Sequence, residues 1–333
     1  MTDELLAHVG GWGLPNGLVS AAEPFEVSRH LSKVIGDRLT GVLHAAMVAG
    51  DIEVDEPDAV SHAHKDAMAQ VLLLEDVMLE AYESLRAVDI EVRLVKGSAL
   101  AHLVGNDPSE RVFGDTDLLV RGDQLPAAAT VLENNSAVRI QPRVSELFER
   151  RFAKSVTLRW RADTELDLHR TLAPGPFGLM IDSDDLFAAT NTSTVSIGGV
   201  DVATFGPELH LVHAAMHAAL GDVTPRLGNV RDIALLLGRS DLSNDRVMAL
   251  AAGWNAEVPL ARGIVAATKL GAGRSGLTDW ADQYRASSRD RRILACYGSR
   301  EGRFRAQAWA SLRVLPWRER PAFVRALTTR RGL

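Results

Sequence analysis

An α+β protein is expected: a mixed-sheet core flanked by helices, preceded by a short helical extension and followed by a helical domain. Three observations predict this. Between about residues 61 and 205, alternating, β-branched stretches take turns with stretches of helical periodicity. From 206 onward, the periodic stretches are all helical. The chain also has 333 residues, more than one hydrophobic core usually serves. The expected divisions are 1–60 (N-terminal helical extension), 61–205 (α/β core) and 206–333 (helical C-terminal domain).

The first of these regions holds glycine, proline and acid clusters around one helical stretch near Val27 to Val48. The polar run "DIEVDEPDAV", 51–60, reads as a connector. A long helix then spans about Ser61 to Val88, with Val71, Leu74, Met78 and Tyr82 at spacings of three and four and Ser61 able to cap it. "IEVRLV", 90–95, alternates as a strand does, and Gly97 with "SALAHLV" opens the next helix. Residues 111–115 lead into the strand Thr116 to Val120. "GDQLPAAATVLENN" reads as a helix, with Asp123 as candidate cap, an early proline and terminal asparagines. "KSVTLRW" (154–160) and "TELDLH" (164–169) read as strands joined by "RAD", and the two glycines of "STVSIGGVDVATF" suit a hairpin. "LHLVHAAMHAAL", "NVRDIALLLG" and "DRVMALAAGW" then carry helical periodicity.

Composition narrows the function classes. Hydrophobic residues at 46% and charged residues at 24% are ordinary for a water-soluble globular chain. No apolar run approaches the roughly 20 residues that span a bilayer, and the acidic start "MTDELLAHVGGWG" is not that of a signal peptide. A cytoplasmic protein with no membrane partner is therefore expected. The single cysteine, Cys296, excludes an intrachain disulfide and a cysteine-rich zinc site, and reads as a small buried hydrophobe. The net charge of −6 is uneven: from Arg285 to the end, thirteen arginines against Asp290, Glu301 and Glu319 leave +10. That segment suits either a solvated arginine-rich face or a surface for RNA.

Chemistry is concentrated in three places. In "RVFGDTDLLV", Asp115 and Asp117 are two residues apart at the head of a strand, so both carboxylates project from one face. Like charges that close cost free energy unless neutralised, and a hard divalent cation such as magnesium neutralises them well. In "LVKGSAL", a strand ends in Lys96-Gly97-Ser98 as a helix begins. Glycine lets backbone amides approach a phosphate, the helix start favours anions, and Lys96 and Ser98 add a cation and a donor. In "ELDLHR", Glu165, Asp167 and His169 share one strand face, so Asp167 can bring a third carboxylate as metal ligand and general base.

The order strand–Gly-Ser–helix, Asp-x-Asp, then a lone Asp on a later strand resembles the DNA-polymerase-β-like nucleotidyltransferase superfamily. More narrowly, "VKGSAL … RVFGDTDLLV … LDLHR", followed by "HLVHAAMHAAL … RLGNVRDIALLL", is similar to a bacterial branch of uncharacterised nucleotidyltransferases, over about residues 70–240. The resemblance implies a nucleotidyltransferase core and an acceptor-binding helical domain. Asp115, Asp117 and Asp167 are then catalytic residues holding two magnesium ions. Gly97 and Ser98 hold the β- and γ-phosphates of a nucleoside triphosphate, and Lys96, Arg111 and Gly114 complete the nucleotide site. The reaction it implies moves a nucleoside monophosphate to a hydroxyl or similar acceptor on a small molecule or peptide and releases pyrophosphate. RNA is the alternative acceptor, and a silent nucleotide-binding scaffold the alternative class. His210, His213 and His217 share one helix and face core, substrate or a zinc ion. Asp232 is expected on a helix surface, as an arginine's partner, or against the acceptor.

Overall fold

Strand alternation and two helical layers organise the molecule. The structure, a computed structural model, describes residues 2–17, 25–105, 107–221, 223–298 and 301–328. One mixed sheet contains β1 (Val92–Val95), β2 (Thr116–Val120), β3 (Val138–Arg139), β4 (Ser155–Trp160), β5 (Thr164–His169), β6 (Thr192–Ile197) and β7 (Val200–Phe205), in the order β3-β4-β5-β2-β1-β7-β6. β2 runs parallel to β5 and β1 parallel to β7, and the other pairs are antiparallel. Gly198 and Gly199 both have positive φ, 57° and 80°, which lets a two-residue turn close the β6–β7 hairpin.

Before the sheet come α1 (Thr2–Gly11), α2 (Val27–Gly36), α3 (Thr40–Ala49) and α4 (Pro57–Arg86). Within the sheet region lie α5 (Gly97–Leu103), α6 (Leu125–Asn134), α7 (Glu146–Arg151), α8 (Gly175–Met180) and α9 (Ser183–Phe187). After it follow α10 (Pro207–Leu220), α11 (Leu227–Leu237), α12 (Asn244–Gly253), α13 (Glu257–Leu270), α14 (Gly276–Gln283), α15 (Ser288–Ala295), α16 (Arg303–Val314) and α17 (Arg320–Thr328). The α+β class and the mixed sheet are those expected from the sequence.

The sheet's two faces have different tasks. Leu94, Leu118, Val120, Val156, Leu158, Leu166 and Leu168 turn one way and form a core with Val77, Met78, Ala81 and Leu85 of α4 and Ala128, Ala129 and Leu132 of α6. Each fully buried leucine there contributes about 1.5–3 kcal/mol. Val95 and Leu119 turn the other way, into a second core with α10 to α13. Asp117, Asp167 and His169 stand on this second face, among residues that the C-terminal helices cover. The N-terminal extension is stitched to α11: Gly228 N–H donates to Asp37 O at 2.9 Å, Leu227 N–H to Asp37 Oδ1 at 2.9 Å, and Arg231 Nη1 to Gly10 O at 3.0 Å.

Several local expectations are corrected. The stretch Val27 to Val48 is two helices, because Arg38 adopts φ 60° between them. α4 starts at Pro57 with no side-chain cap, so Ser61 lies inside it. β1 starts at Val92, α6 is flanked by Gln124 rather than capped by Asp123, and Lys154 precedes β4. Cys296 is only partly buried. Sequence reading had no place for α1, β3 or α7 to α9. No helix of the described residues is long and apolar enough to cross a membrane.

Candidate active site

The parallel pairing of β2 with β5 puts Asp117 directly opposite Asp167. Asp117 is buried, 3% exposed, and its Oδ1 lies 2.6 Å from His169 Nε2, two residues further along β5. Lys96 Nζ donates to the same oxygen and lies 3.2 Å from His169 Nε2. Lys96 sits where β1 gives way to α5, with φ 59° and ψ −129°. A non-glycine residue held there costs on the order of 1–3 kcal/mol, a strain that the surroundings must impose and that clusters at functional sites. Asp167 accepts a 2.5 Å hydrogen bond from Thr157 Oγ1 on β4. Asp115, one residue ahead of β2, accepts from Arg38 Nη2 at 3.1 Å.

The electrostatics follow from this crowding. Burial works against the Lys96 charge, but Asp117, Asp115 and Asp167 outweigh it and hold the ammonium above its ordinary value. Burial, then the neighbouring Asp117, push the Asp167 carboxyl up, while Lys154, Thr157 and Lys96 favour its charged form. Burial, with Lys96 and Lys154 close by, keeps His169 neutral, well below the usual imidazole value. Lys154 is itself lowered to about 8 by burial and by Lys96, against the pull of the three aspartates.

Asp117, Asp167 and His169 offer ligand atoms that all lie within 4.8 Å of one another. Two carboxylates fit a hard divalent cation. A ligating histidine usually donates its other ring N–H to an acceptor, whereas His169 Nδ1 is buried with no partner among the described residues. At 2.6 Å from a carboxylate, Nε2 is the donor, so His169 orients Asp117 rather than serving as a ligand.

A cavity of about 150 Å³ opens beside these groups, between the strand ends and helices α10 and α11. Four cations converge on it: Arg38, Lys96, Arg111 and Arg226. Arg111 is fixed by Asp232, with Nε to Oδ1 at 2.7 Å and Nη2 to Oδ2 at 2.8 Å, and reaches Asn229 Oδ1 at 3.3 Å. Asp232 is thus a buried arginine partner rather than a surface acid. His210, His213 and His217 line the same cavity. Burial lowers His210 to about 3 and the other two well below their usual value, so they line it as neutral rings. His210 Nε2 is 2.9 Å from Thr204 Oγ1.

The site residues expected from sequence fall into three groups. Lys96, Asp117 and Asp167 come together, and Gly97, Arg111 and Asp115 line the cavity beside them. Gly97 is required by packing, since a Cβ there would stand 2.7 Å from Phe113 Cβ. Ser98 is buried and its hydroxyl donates to Glu75 Oε1 at 2.9 Å, away from the cavity lining, and Gly114 is exposed outside that lining. Arg38, Lys154, Thr157, His169 and Arg226 are contributors that sequence reasoning missed. His169 alone had a signal, its shared strand face with Asp167.

Carboxylates in register on neighbouring strands, a strained lysine at a helix start and a cavity of converging cations form an arrangement chemically suited to a metal ion and a polyanion. Residues 26–271 match the family described as uncharacterised nucleotidyltransferase, and the chain belongs to that family. Two solved structures show a distant similarity to it. A nucleotidyltransferase-like antigenic protein from Paracoccidioides brasiliensis is 17% identical, with TM-score 0.36 over 62% of this chain and 96% of that one. The antibiotic-resistance factor ANT(2'')-Ia is 14% identical, with TM-score 0.39 over 58% and 94%. No curated protein matches the chain.

Proposed function

We propose that this nucleotidyltransferase depends on divalent metal, magnesium being the first choice, and moves a nucleoside monophosphate from a nucleoside triphosphate to a hydroxyl on a small molecule or peptide. The observation that carries the reading is the Asp117–Asp167 register beside the cavity of Arg38, Lys96, Arg111 and Arg226. Asp117 and Asp167, with Asp115 at the cavity edge, would hold the metal. When bound, two such ions stabilise the attacking and leaving oxygens of an in-line displacement.

The remaining work falls to the chain's own groups. Arg38, Arg111 and Arg226 meet the triphosphate charge, and the Asp232 clamp keeps the Arg111 fork in one orientation. Lys96 reaches both Asp117 and the cavity, so it couples phosphate to carboxylates. The acceptor oxygen attacks the α-phosphorus, an O–P bond forms, and the hydroxyl proton passes to the Asp167 carboxylate. The bond from the α-phosphorus to its bridging oxygen breaks, and pyrophosphate leaves with the electron pair. The test is transfer of α-phosphate label from each nucleoside triphosphate to a panel of hydroxyl compounds. Label should move with wild type and not with Asp167→Asn; equal transfer by the variant removes Asp167 from the reaction.

RNA is the second reading, favoured by a groove of about 400 Å³ on α15 and α16. Arg289, Arg292 and Arg313 surround Trp309 there, 69% exposed, a combination suited to phosphate and stacked bases. RNA affinity would then fall steeply between about 50 and 200 mM salt. Absence of binding at the lower salt ends that reading.

A further inference from the structure

The cationic cavity is not the larger space beside the carboxylates. A chamber of about 490 Å³ lies on the β3–β4 side of the sheet, walled by those strands' ends, α7, α8, α16 and α17. It is within the 300–1,000 Å³ range of small-molecule pockets. Phe148, Phe152, Phe323, Leu179 and Leu327 give it an apolar and aromatic interior. Asp167 is two hydrogen bonds from its wall, because Gln141 Nε2 donates to Thr157 Oγ1 at 2.8 Å and Thr157 donates to Asp167 at 2.5 Å. The sheet order places β5 and β2, which carry Asp167 and Asp117, between this chamber and the cationic cavity at the end of β1.

The chamber's polar groups are unequal. Its one acid, Glu149, is buried and paired with Arg139 Nη1 at 2.5 Å, and Arg139 also bonds Glu133. Among the described residues, a cationic ligand would find no free carboxylate on the wall. The uncommitted groups are donors. Gln307 Nε2 is buried without a partner among the described residues, on a side chain only 8% exposed. The Lys154 ammonium lines the chamber with no side-chain hydrogen bond or contact ion pair among the described residues, its charge balanced only at longer range by Asp167, Asp117 and Asp115. A buried donor without an acceptor costs about 1–3 kcal/mol, which a ligand oxygen placed there would recover.

We propose that this chamber is the acceptor pocket, and that it takes a hydroxyl compound with an aromatic or apolar body and a carboxylate or carbonyl group. The carboxylate meets Gln307 Nε2 and Lys154, the body packs on the phenylalanines, and the hydroxyl lies toward the Gln141 and Thr157 side, two hydrogen bonds from Asp167. This rests on the nucleotidyltransferase reading for the word acceptor, while the anion-accepting, apolar chamber stands on its own walls.

The test uses two probes of one body and opposite charge, 3-(4-hydroxyphenyl)propionate and tyramine, titrated calorimetrically into the full chain. The propionate should bind at least tenfold more tightly than tyramine. Gln307→Glu and Gln307→Leu should each weaken it, the former by at least tenfold, with magnesium-dependent nucleotide binding by the folded variants unchanged. Tyramine binding as tightly, no propionate binding at millimolar concentration, or unchanged affinity in both variants overturns the proposal. If the propionate binds as described while no nucleotide binds wild type, the nucleotide reading fails and the chamber's ligand preference survives. A propionate that binds but never receives label from a bound nucleotide removes the acceptor role alone.

Discussion

Asp115 and Asp117 are two residues apart, yet replacing each by asparagine should have very different effects on stability. Asp117 and Lys96 have side-chain exposures of 2% and 12%, and His169 donates to the same carboxylate. Removing one partner of a buried pair leaves the other charge uncompensated, at about 3–5 kcal/mol. Asp115 and Arg38 are at 35% and 18%, a pair still reached by water, for which about 1 kcal/mol or less is expected. Two opposing terms bear on Asp117: its repulsion with Asp167 and its attraction to Lys96. The ammonium contacts the carboxylate directly, so attraction dominates and Asp117→Asn destabilises. Urea unfolding of the full chain, followed through the buried Trp160 and Trp254, measures this. With a slope of about 3 kcal/mol/M, the Asp117→Asn midpoint should fall by about 1 M or more and the Asp115→Asn midpoint by a third of that or less. An Asp117→Asn protein as stable as wild type, or a cost equal to that of Asp115→Asn, would refute the reasoning by showing that carboxylate repulsion governs the site.

Other perturbations probe other contacts. Asp232→Asn strips the buried Arg111 of its bidentate partner and should cost about 3–5 kcal/mol in urea unfolding, whereas Asp232→Leu with Arg111→Met should recover most of it; a double variant no better than the single would contradict the pairing. Thr157→Val removes a donor that favours ionised Asp167, so the Asp167 pKa, already held up by burial and Asp117, should rise further in a carbon-13 carboxyl titration of the metal-free protein. A value at or below that of wild type would show that Thr157 does not hold the carboxylate. Gly97→Ala sets a Cβ 2.7 Å from Phe113 Cβ and should cost about 1–3 kcal/mol with weaker nucleotide binding, because the displaced segment carries Lys96; an unperturbed variant would mean that α5 shifts freely.

The legible parts of the fold were those with strong periodicity or turn chemistry. β5 was expected at 164–169 and forms there, and Gly198-Gly199 closes the expected hairpin. What escaped depends on distant partners. β3 is two residues long and owes its place to β4, and the break at Arg38 comes from a backbone conformation that no local pattern announces. The site divides the same way. Asp117 and Asp167 could be anticipated because Asp-x-Asp and Asp-x-His each mark one strand face. Arg38 and Arg226 reach the cavity only because the extension and α11 dock together, a long-range contact invisible in either segment. Ser98 illustrates the converse: its motif suggested phosphate, but Glu75 on α4 takes its hydroxyl.

Nucleotide-dependent thermal stabilisation, with and without magnesium, tests the central claim most directly, on wild type and on Asp167→Asn. A ligand at a hundred times its dissociation constant stabilises the folded state by about 2.7 kcal/mol. At least one nucleoside triphosphate should shift wild type, the shift depending on magnesium and being lost in Asp167→Asn. No shift for any nucleotide, or the same shift without metal and in the variant, would contradict the claim.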